Sequence, residues 1–341
     1  MITGSRNFVR NTMTESKKPL NLRWIIGTGV VLVGAIAWAY FSRRRSVRKA
    51  FSVSLDAPHV HIRDRAEFER KRSLLIQGGI ERLQVVTDFD ATLTRSDSLS
   101  SWGCIEKSAM FSEQYRKTTK DLYEYYHSRE ISPNLSREEK IPLMEEWWSK
   151  AHATLIAERP TRRMFDQMVD LAMERVAFRD GTHELFELLH HQHVPLLIFS
   201  AGLGDIINLL IAKKGLHRHH RNIHVISNFI DFDTSGAATG FIGNPIHVYN
   251  KNEANVRDSP YYNEVAQRSS VILMGDSMGD VDMSQGIPHG VVMRIGFLNR
   301  GKGNDVDALL EKYKAQFDVV LVGDDTLDFA HMLIHQILQR R

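Results

Sequence analysis

Three short runs with the composition of buried β-strands each end in acidic or small polar residues, and this arrangement restricts the fold more than any other feature of the chain. The runs and the residues that follow them are 85–87 with Asp88 and Asp90, 194–199 with Ser200, and 271–275 with Asp276 and Asp280. Helix-like segments separate the runs, so the order of elements predicts an α/β fold with a doubly wound parallel sheet. Ligands bind beyond the carboxyl ends of such strands, which places the expected site at these polar residues.

The spacing of Asp88 and Asp90 lets both carboxylates face one point beyond the first strand. Two like charges there are unfavourable unless a cation neutralises them. Carboxylate oxygens suit Mg²⁺, and beside a cation one carboxylate can attack an electrophile while the other moves protons. An Asp-x-Asp pair alone is more often a strand followed by an Asx turn, so this pair by itself leaves the chemistry open.

The second run leads into Ser200-Ala201-Gly202-Leu203-Gly204-Asp205 and a predicted helix over 206–214. A hydroxyl, backbone N–H groups and a helix N-terminus at one turn predict an anion site. Glycine also occurs at such turns for conformational reasons alone. A second Asp-Phe-Asp at 231–233 is followed by Thr-Ser-Gly, which predicts a β-hairpin with a structural role.

Residues 96–175 show no strand-like alternation and carry apolar residues at helical spacing. Pro133, Pro142 and Pro160 are expected to divide this stretch into separate helices. We therefore predict a helical cap inserted after the first strand of the sheet. The adjacent Trp147 and Trp148 suit either stacking on a nucleobase or packing in the cap core, of which packing is the commoner role.

Residues 24–41 carry no charge and just reach the length of a membrane-spanning helix, with aromatic residues near both ends. A cleaved signal peptide and a buried core helix are the alternatives. We predict an uncleaved N-terminal membrane-anchor helix. The expected organisation is a tail, anchor and basic linker over 1–50, a catalytic core over 51–95 and 176–341, and the cap over 96–175.

Composition excludes some classes of protein. The net charge of +3 gives no reason to expect a nucleic acid polymer as partner. The single cysteine, Cys104, excludes an intrachain disulfide and a cysteine-based zinc site, and it fits a reducing compartment.

The motifs together resemble the haloacid dehalogenase superfamily: Asp88-Phe89-Asp90-x-Thr92, then Ser200, Lys251, and Gly275-Asp276-x-x-x-Asp280. The stretches LQVVTDFDATLT, IFSAGLGD, VISNFIDFD, IHVYNK and LMGDSMGD are similar, more narrowly, to the cytosolic 5′-nucleotidase III family of pyrimidine-type nucleotidases. The resemblance runs from about His59 to the C-terminus and implies a haloacid-dehalogenase-like core.

The resemblance also implies roles for individual residues. Asp88 would be the nucleophile that forms an aspartyl-phosphate, and Asp90 the general acid and base. Three groups would hold Mg²⁺: the Asp88 carboxylate, the Asp90 carbonyl and the Asp276 carboxylate. The phosphoryl group would bind to Ser200, Ala201 and Lys251, and supporting positions are Thr92, Gly202 and Asp280.

Glu130 matches the cap glutamate that reads the base in that family. The family's cap serine falls on Ala151 here, in Trp147-Trp148-Ser149-Lys150-Ala151-His152, so base preference stays open. We expect a Mg²⁺-dependent 5′-nucleotidase acting on nucleoside 5′-monophosphates such as CMP or UMP. The main alternative is a preference for 7-methylguanosine 5′-monophosphate.

A phosphatase for another small phosphate, such as phosphoserine, shares these core motifs. A phosphomutase or a phosphotransferase would pass the phosphoryl group to an acceptor other than water. A non-catalytic binding protein would normally lack one of the acids, and all of them are present here. We expect a monomer whose catalytic domain faces the cytosol, anchored through residues 24–41 to an intracellular membrane that the sequence does not identify.

Overall fold

The computed structural model describes residues 53–106, 108–132, 134–216, 221–252, 259–299 and 306–339. The strands are β1 Val60–Ile62, β2 Leu83–Thr87, β3 Leu196–Leu203, β4 Ile223–Asn228, β5 Ile230–Phe232, β6 Ala238–Phe241, β7 Ser270–Gly275, β8 Val291–Leu298 and β9 Val319–Val322. The α-helices are α1 Arg65–Gly78, α2 Ser101–Glu106, α3 Glu113–Glu130, α4 Arg137–Ala157, α5 Arg162–Ala172, α6 Thr182–His191, α7 Gly204–Lys213, α8 Pro260–Val265, α9 Val306–Gln316 and α10 Asp328–Leu338.

Seven strands form one sheet in the order β1-β9-β8-β7-β2-β3-β4, parallel except for β1. Leaving out the edge strand β1, the order is the doubly wound pattern in which the chain starts in the middle and reverses direction. The reversal falls between β2 and β7, which pair directly. The carboxyl ends of these two strands are therefore the topological switch point, where a ligand is expected, and the predicted parallel sheet is confirmed.

Alternate residues of the central strands pack on opposite faces of the sheet, as the pleat requires. Val85 of β2 and Ile272 of β7 belong to one buried cluster, whereas Val86 and Leu273 belong to the other. Because both faces are covered, residues 85–86 and 271–274 are apolar at successive positions rather than alternating, which is why each stretch reads as a continuous hydrophobic run.

The stretch predicted to be a helical cap, residues 96–175, is helical and contains α2 to α5 with a short 3₁₀ turn; α6 follows before β3 begins. Its two connections to the sheet run side by side: Thr94 and Phe178 form an antiparallel bridge. Arg95 N–H donates to the Ala177 carbonyl at 2.8 Å, and Arg179 N–H donates to the Leu93 carbonyl at 2.9 Å. The insertion is thus joined to the core through a hydrogen-bonded pair of strands.

Two expectations about local structure are wrong. Pro142 does not separate two helices; it lies inside α4, in its second turn. Proline there removes one main-chain hydrogen bond, but α4 buries Met144, His152 and Leu155 farther along, and this packing keeps the helix continuous. The predicted turn over 200–205 is also absent, because β3 runs on to Leu203 and α7 begins at Gly204, with a register shift after Phe199.

The second Asp-Phe-Asp lies in the β5–β6 hairpin, which confirms the predicted turn. Pro133 and the predicted anchor at 24–41 both lie outside the described residues. Among the residues that are described, no helix combines the length and hydrophobicity needed to cross a membrane.

Candidate active site

The centre of the site is a buried lysine held between two aspartates. Lys251 Nζ donates to Asp88 Oδ1 and to Asp280 Oδ1, both at 2.6 Å. Asp88 follows β2 and Asp280 follows β7, so the lysine joins the two strands of the switch point. All three side chains are nearly inaccessible to solvent. Buried charges are tolerated when they are paired in this way.

The second oxygen of Asp280 is used to shape the turn after β7. Asp280 Oδ2 accepts hydrogen bonds from the Asp276 N–H, the Ser277 N–H and the Ser277 hydroxyl at 2.9–3.1 Å. Gly275 is required here, because a Cβ at this position would lie 2.3 Å from the Asp280 Cβ. Asp280 therefore acts as a structural anion that fixes Asp276 and Lys251.

Asp88, Asp276 and Asp280 each offer a carboxylate oxygen within 4.8 Å of the others. Burial raises the pKa of Asp88 to about 7, and burial together with Asp88 and Asp280 raises the pKa of Asp276. For Lys251, burial alone would lower the pKa, but Asp280 and Asp88 together raise it, so the lysine stays charged. One ammonium group does not neutralise three carboxylates, so the donor set suits a divalent cation.

The acidic group differs in one member from the predicted metal ligands. The Asp90 carboxylate is turned toward the start of α2, where Oδ1 accepts from the Ser101 N–H at 2.9 Å and Oδ2 from the Ser101 hydroxyl at 2.8 Å. The third carboxylate of the cluster is Asp280. Asp90 was expected to reach the metal through its carbonyl, so a carboxylate directed elsewhere is compatible with that role. Burial raises the pKa of Asp90, which favours its protonated form.

Near Gly202, the motif over 88–92 and the polar stretch that begins at Ser200 come together. A Cβ on Gly202 would lie 2.0 Å from the Ser101 hydroxyl and 3.1 Å from both Asp90 Oδ2 and Ser200 Oγ. Only glycine fits, and its absence of a side chain lets Asp90 and Ser200 approach each other. The buried Ser200 hydroxyl accepts from the Gly202 N–H at 3.0 Å. The expected acid–base and phosphoryl-binding residues are therefore neighbours.

Trp148 of α4 connects the helical insertion to this strand end. Its indole Nε1–H donates to the Ala201 carbonyl at 3.2 Å. A pocket of about 180 Å³ opens beside it, with aromatic walls formed by Trp102, Tyr123, Trp147 and Trp148, and Ala151 also lines it. The tryptophan pair thus faces a cavity, in addition to packing ring against ring at 4.9 Å.

Glu130 lies at the last position of α3, in the helical insertion. Its Oε2 is 3.0 Å from His127 Nδ1, and its carbonyl accepts from the Tyr249 hydroxyl at 3.4 Å. Tyr249 precedes Lys251 by two residues, so one short segment contacts both Glu130 and the acidic cluster. Burial and the nearby Glu130 charge raise the pKa of Tyr123 in the pocket wall.

Sequence reasoning missed several residues of this site. They are Ser101, which holds Asp90; Trp148 in its contact with Ala201; and Arg179 and Asn299, which contact the loop after β2. Trp148 lies in the cap stretch 147–152, but nothing in that stretch indicates a contact with Ala201. The other three lie in no motif, and the sequence around Arg179 does not distinguish it from a surface arginine. Only folding reveals their roles, because their partners are 11 to 208 positions away in the chain.

The sheet is doubly wound, the Asp-x-Asp strand lies at its switch point, and a helical insertion follows that strand. A lysine and a second acidic turn lie beside it. Together these features define a phosphatase-type member of the haloacid dehalogenase superfamily. The model of the pyrimidine 5′-nucleotidase (UMPH-1) family matches residues 86–338. The chain belongs to this family, and it is a hydrolase of the 5′-nucleotidase type.

Individual relatives of this chain are 5′-nucleotidases as well. The 7-methylguanosine phosphate-specific 5′-nucleotidase of Homo sapiens is 39% identical over 271 residues, covering 77% of this chain and 87% of that protein. Form A of the same enzyme from Xenopus laevis is 37% identical over 281 residues, covering 81% and 94%. The crystal structure of cytosolic 5′-nucleotidase IIIB bound to cytidine superposes with a TM-score of 0.75 at 35% identity, covering 84% of this chain and 96% of the other.

Proposed function

We propose that the protein hydrolyses nucleoside 5′-monophosphates to nucleoside and phosphate, with pyrimidine nucleotides such as CMP and UMP as substrates and Asp88 as nucleophile. The observation that carries the proposal is the buried Asp88–Lys251–Asp280 bridge at the switch point, with an aromatic pocket in the helical insertion nearby. One end suits a phosphoryl group and the other a planar, apolar ring.

In the first step an Asp88 carboxylate oxygen attacks phosphorus, and the bond from phosphorus to the 5′-oxygen breaks. Asp90 gives its proton to the departing 5′-oxygen, and its raised pKa favours the protonated form that this step needs. Asp90 then takes a proton from a water molecule, whose oxygen attacks the aspartyl-phosphate and releases phosphate. Asp88 and Asp90 end in their starting states.

Lys251, Ser200 and the backbone at Ala201 would hold the phosphoryl oxygens through this sequence, because a fixed ammonium group and N–H donors stabilise the charge of the transferring group. We propose Mg²⁺ as the cofactor, held by Asp88, the Asp90 carbonyl and Asp276. When bound, it would neutralise phosphoryl charge and orient the substrate. Lys251 already compensates part of the acidic charge.

A second candidate substrate is 7-methylguanosine 5′-monophosphate. Relatives named for that specificity support it, and so does Ala151, which presents no hydroxyl to the pocket. A pyrimidine is favoured by the family description and by the structural relative bound to cytidine.

The deciding experiment measures phosphate release from CMP, UMP, AMP, GMP, 7-methylguanosine monophosphate and phosphoserine, first with Mg²⁺ and then with EDTA. We expect a nucleotide to be preferred, with loss of activity in EDTA. Equal rates on phosphoserine and nucleotides would refute a nucleotidase. Phosphoryl transfer to added nucleoside in place of water would identify a phosphotransferase.

Asp276→Ala is expected to raise the Mg²⁺ concentration needed for half-maximal activity, since it removes a proposed ligand but leaves Asp88 in place. Excess Mg²⁺ should restore part of the lost rate. The measurement is initial rate against Mg²⁺ concentration for both proteins. An unchanged Mg²⁺ requirement would remove Asp276 from the metal site.

We further propose that residues 24–41 anchor the protein to an intracellular membrane, with the catalytic residues in the cytosol and the protein monomeric. The compact basic cluster over 43–49, the single cysteine and the nature of the substrate support this orientation. The exposed Asn134 begins the sequon Asn134-Leu135-Ser136, which would be available for glycosylation on the luminal side.

Full-length protein from eukaryotic cells is expected to stay with membranes after a carbonate wash and to show no mobility shift with an N-glycosidase. Deletion of residues 1–50 should release an active, soluble enzyme of monomeric mass in light scattering. A glycosidase-sensitive band would reverse the orientation, and full-length protein in the soluble fraction would rule out the anchor.

A further inference from the structure

Arg179 is buried with 1% of its surface exposed, and its hydrogen-bond partners hold the loop after β2. Its Nε donates to the Thr92 carbonyl at 2.8 Å, and one terminal nitrogen donates to the Ala91 carbonyl at 2.7 Å. The other terminal nitrogen donates to the Asp324 carbonyl beyond β9. The guanidinium also stacks over the Phe297 ring at 4.1 Å. A buried guanidinium with this many acceptors fixes the backbone that follows Asp90.

Asn299, just beyond β8, connects this arginine to the acidic cluster. Its Oδ1 accepts from Arg179 at 2.7 Å, and its Nδ2 donates to the Ala91 carbonyl at 3.1 Å and to Asp276 Oδ2 at 3.4 Å. Arginine never accepts a hydrogen bond, so the carbonyl side of the Asn299 amide must face it. Arg179 thereby orients the Asn299 amino group toward Asp276.

Both oxygens of the Asp276 carboxylate then have a donor. Thr92 Oγ1 donates to Oδ1 at 3.3 Å, and Asn299 Nδ2 donates to Oδ2 at 3.4 Å. Each oxygen receives one donor and keeps lone pairs for a cation. In Asp280, by contrast, both oxygens are already engaged by Lys251 and by the turn after β7. Asp276 is therefore clamped in rotation but left able to bind metal.

We propose that Asn299, oriented by Arg179, is a positioning residue for the divalent cation. Its amide holds the Asp276 carboxylate and also the Ala91 carbonyl, which is next in the chain to the proposed ligand Asp90. It does not touch substrate. The inference rests on the proposed metal-dependent function. Groups that orient metal ligands commonly contribute ~10- to 100-fold to metal affinity. Asn299 is expected to act on cation binding rather than on the chemical step.

The test titrates Mg²⁺ into substrate-free protein by calorimetry and records the rise in melting temperature at saturating Mg²⁺. Asn299→Ala and the near-isosteric Asn299→Leu should each weaken Mg²⁺ binding at least ~10-fold. The turnover number at saturating Mg²⁺ should stay close to that of the unaltered protein. Two variants are used so that a cavity left by alanine is separated from loss of the amide.

Asn222→Ala is the matched control. Asn222 is also a buried asparagine that donates to a carbonyl, that of Val194 at 2.7 Å. It lies at the amino end of β4, whereas the site lies at the carboxyl ends of the strands. Its loss should lower the melting temperature without changing Mg²⁺ affinity. If both Asn299 variants bind Mg²⁺ as tightly as the unaltered protein, the positioning role is refuted. If the unaltered protein hydrolyses nucleotides but binds no divalent cation, the proposed cofactor fails and the inference with it.

Discussion

Asp88→Asn is expected to reduce nucleotide hydrolysis on the order of 10⁴-fold or more, as removal of a nucleophile does in other enzymes with covalent intermediates. Asparagine has nearly the same shape but neither attacks phosphorus nor binds Mg²⁺ well. Its amide can still contact Lys251, so the fold should persist. Phosphate release and the circular dichroism melting curve, measured on the same preparation, check both parts.

The chain supplies a matched control for this substitution. Asp231 begins the second Asp-Phe-Asp and is exposed on the β5–β6 hairpin, so Asp231→Asn makes the same chemical change in the same tripeptide. We expect it to retain full activity. Turnover by Asp88→Asn within about tenfold of the unaltered protein would show that another group is the nucleophile.

Glu130→Ala is expected to lower kcat/KM for CMP at least ~100-fold while leaving a base-free substrate, ribose 5-phosphate, within a few-fold. A site that pairs a polar group on its substrate discriminates by orders of magnitude when that pairing is lost. Glu130 is connected to the core through Tyr249 rather than to the acidic cluster directly, so phosphoryl transfer itself should be spared. The two rates are compared in one assay of released phosphate.

Glu124→Ala serves as the control, because Glu124 lies on the same helix and is exposed beside Lys120. It should leave both substrates unaffected. Equal losses on CMP and ribose 5-phosphate after Glu130→Ala would assign the Glu130 side chain a structural role within the helical insertion, through its contact with His127, instead of a role in reading the base.

The sheet was predictable from sequence because its central strands are buried on both faces. Residues 85–87 are all β-branched and 271–274 are all apolar, and each run ends at or just before an acid. Local patterns fail where tertiary contacts decide. Pro142 reads as a helix boundary, yet packing of α4 outweighs the lost hydrogen bond. Strand β3 likewise continues through Gly202, because after the register shift Leu203 still pairs with Asn228 of β4.

Residues of the candidate site could be predicted where a motif places them at the end of a strand. Residues that only orient another side chain of the site could not be predicted. Asp88, Asp276 and Lys251 could be named because motifs at strand ends and a family resemblance single them out. Asp280 was assigned only a supporting position. In the structure its carboxylate holds Lys251 and the turn that carries Asp276. Arg179 and Asn299 carry no local signal, since their function exists only when β2, β7 and β8 are adjacent.

The Trp148 indole, which donates a hydrogen bond to Ala201, gives the enzyme an intrinsic fluorescence signal at this site. The chain has five tryptophans, and two of them, Trp24 and Trp38, lie in the N-terminal segment. A form lacking residues 1–50 would keep Trp102, Trp147 and Trp148, all of which line the pocket. Its entire indole emission would then come from the walls of the pocket proposed to receive the substrate's base. Closure of lids over substrate takes microseconds to milliseconds in many enzymes; if the helical insertion closes in this way, stopped-flow fluorescence would follow it without any attached dye.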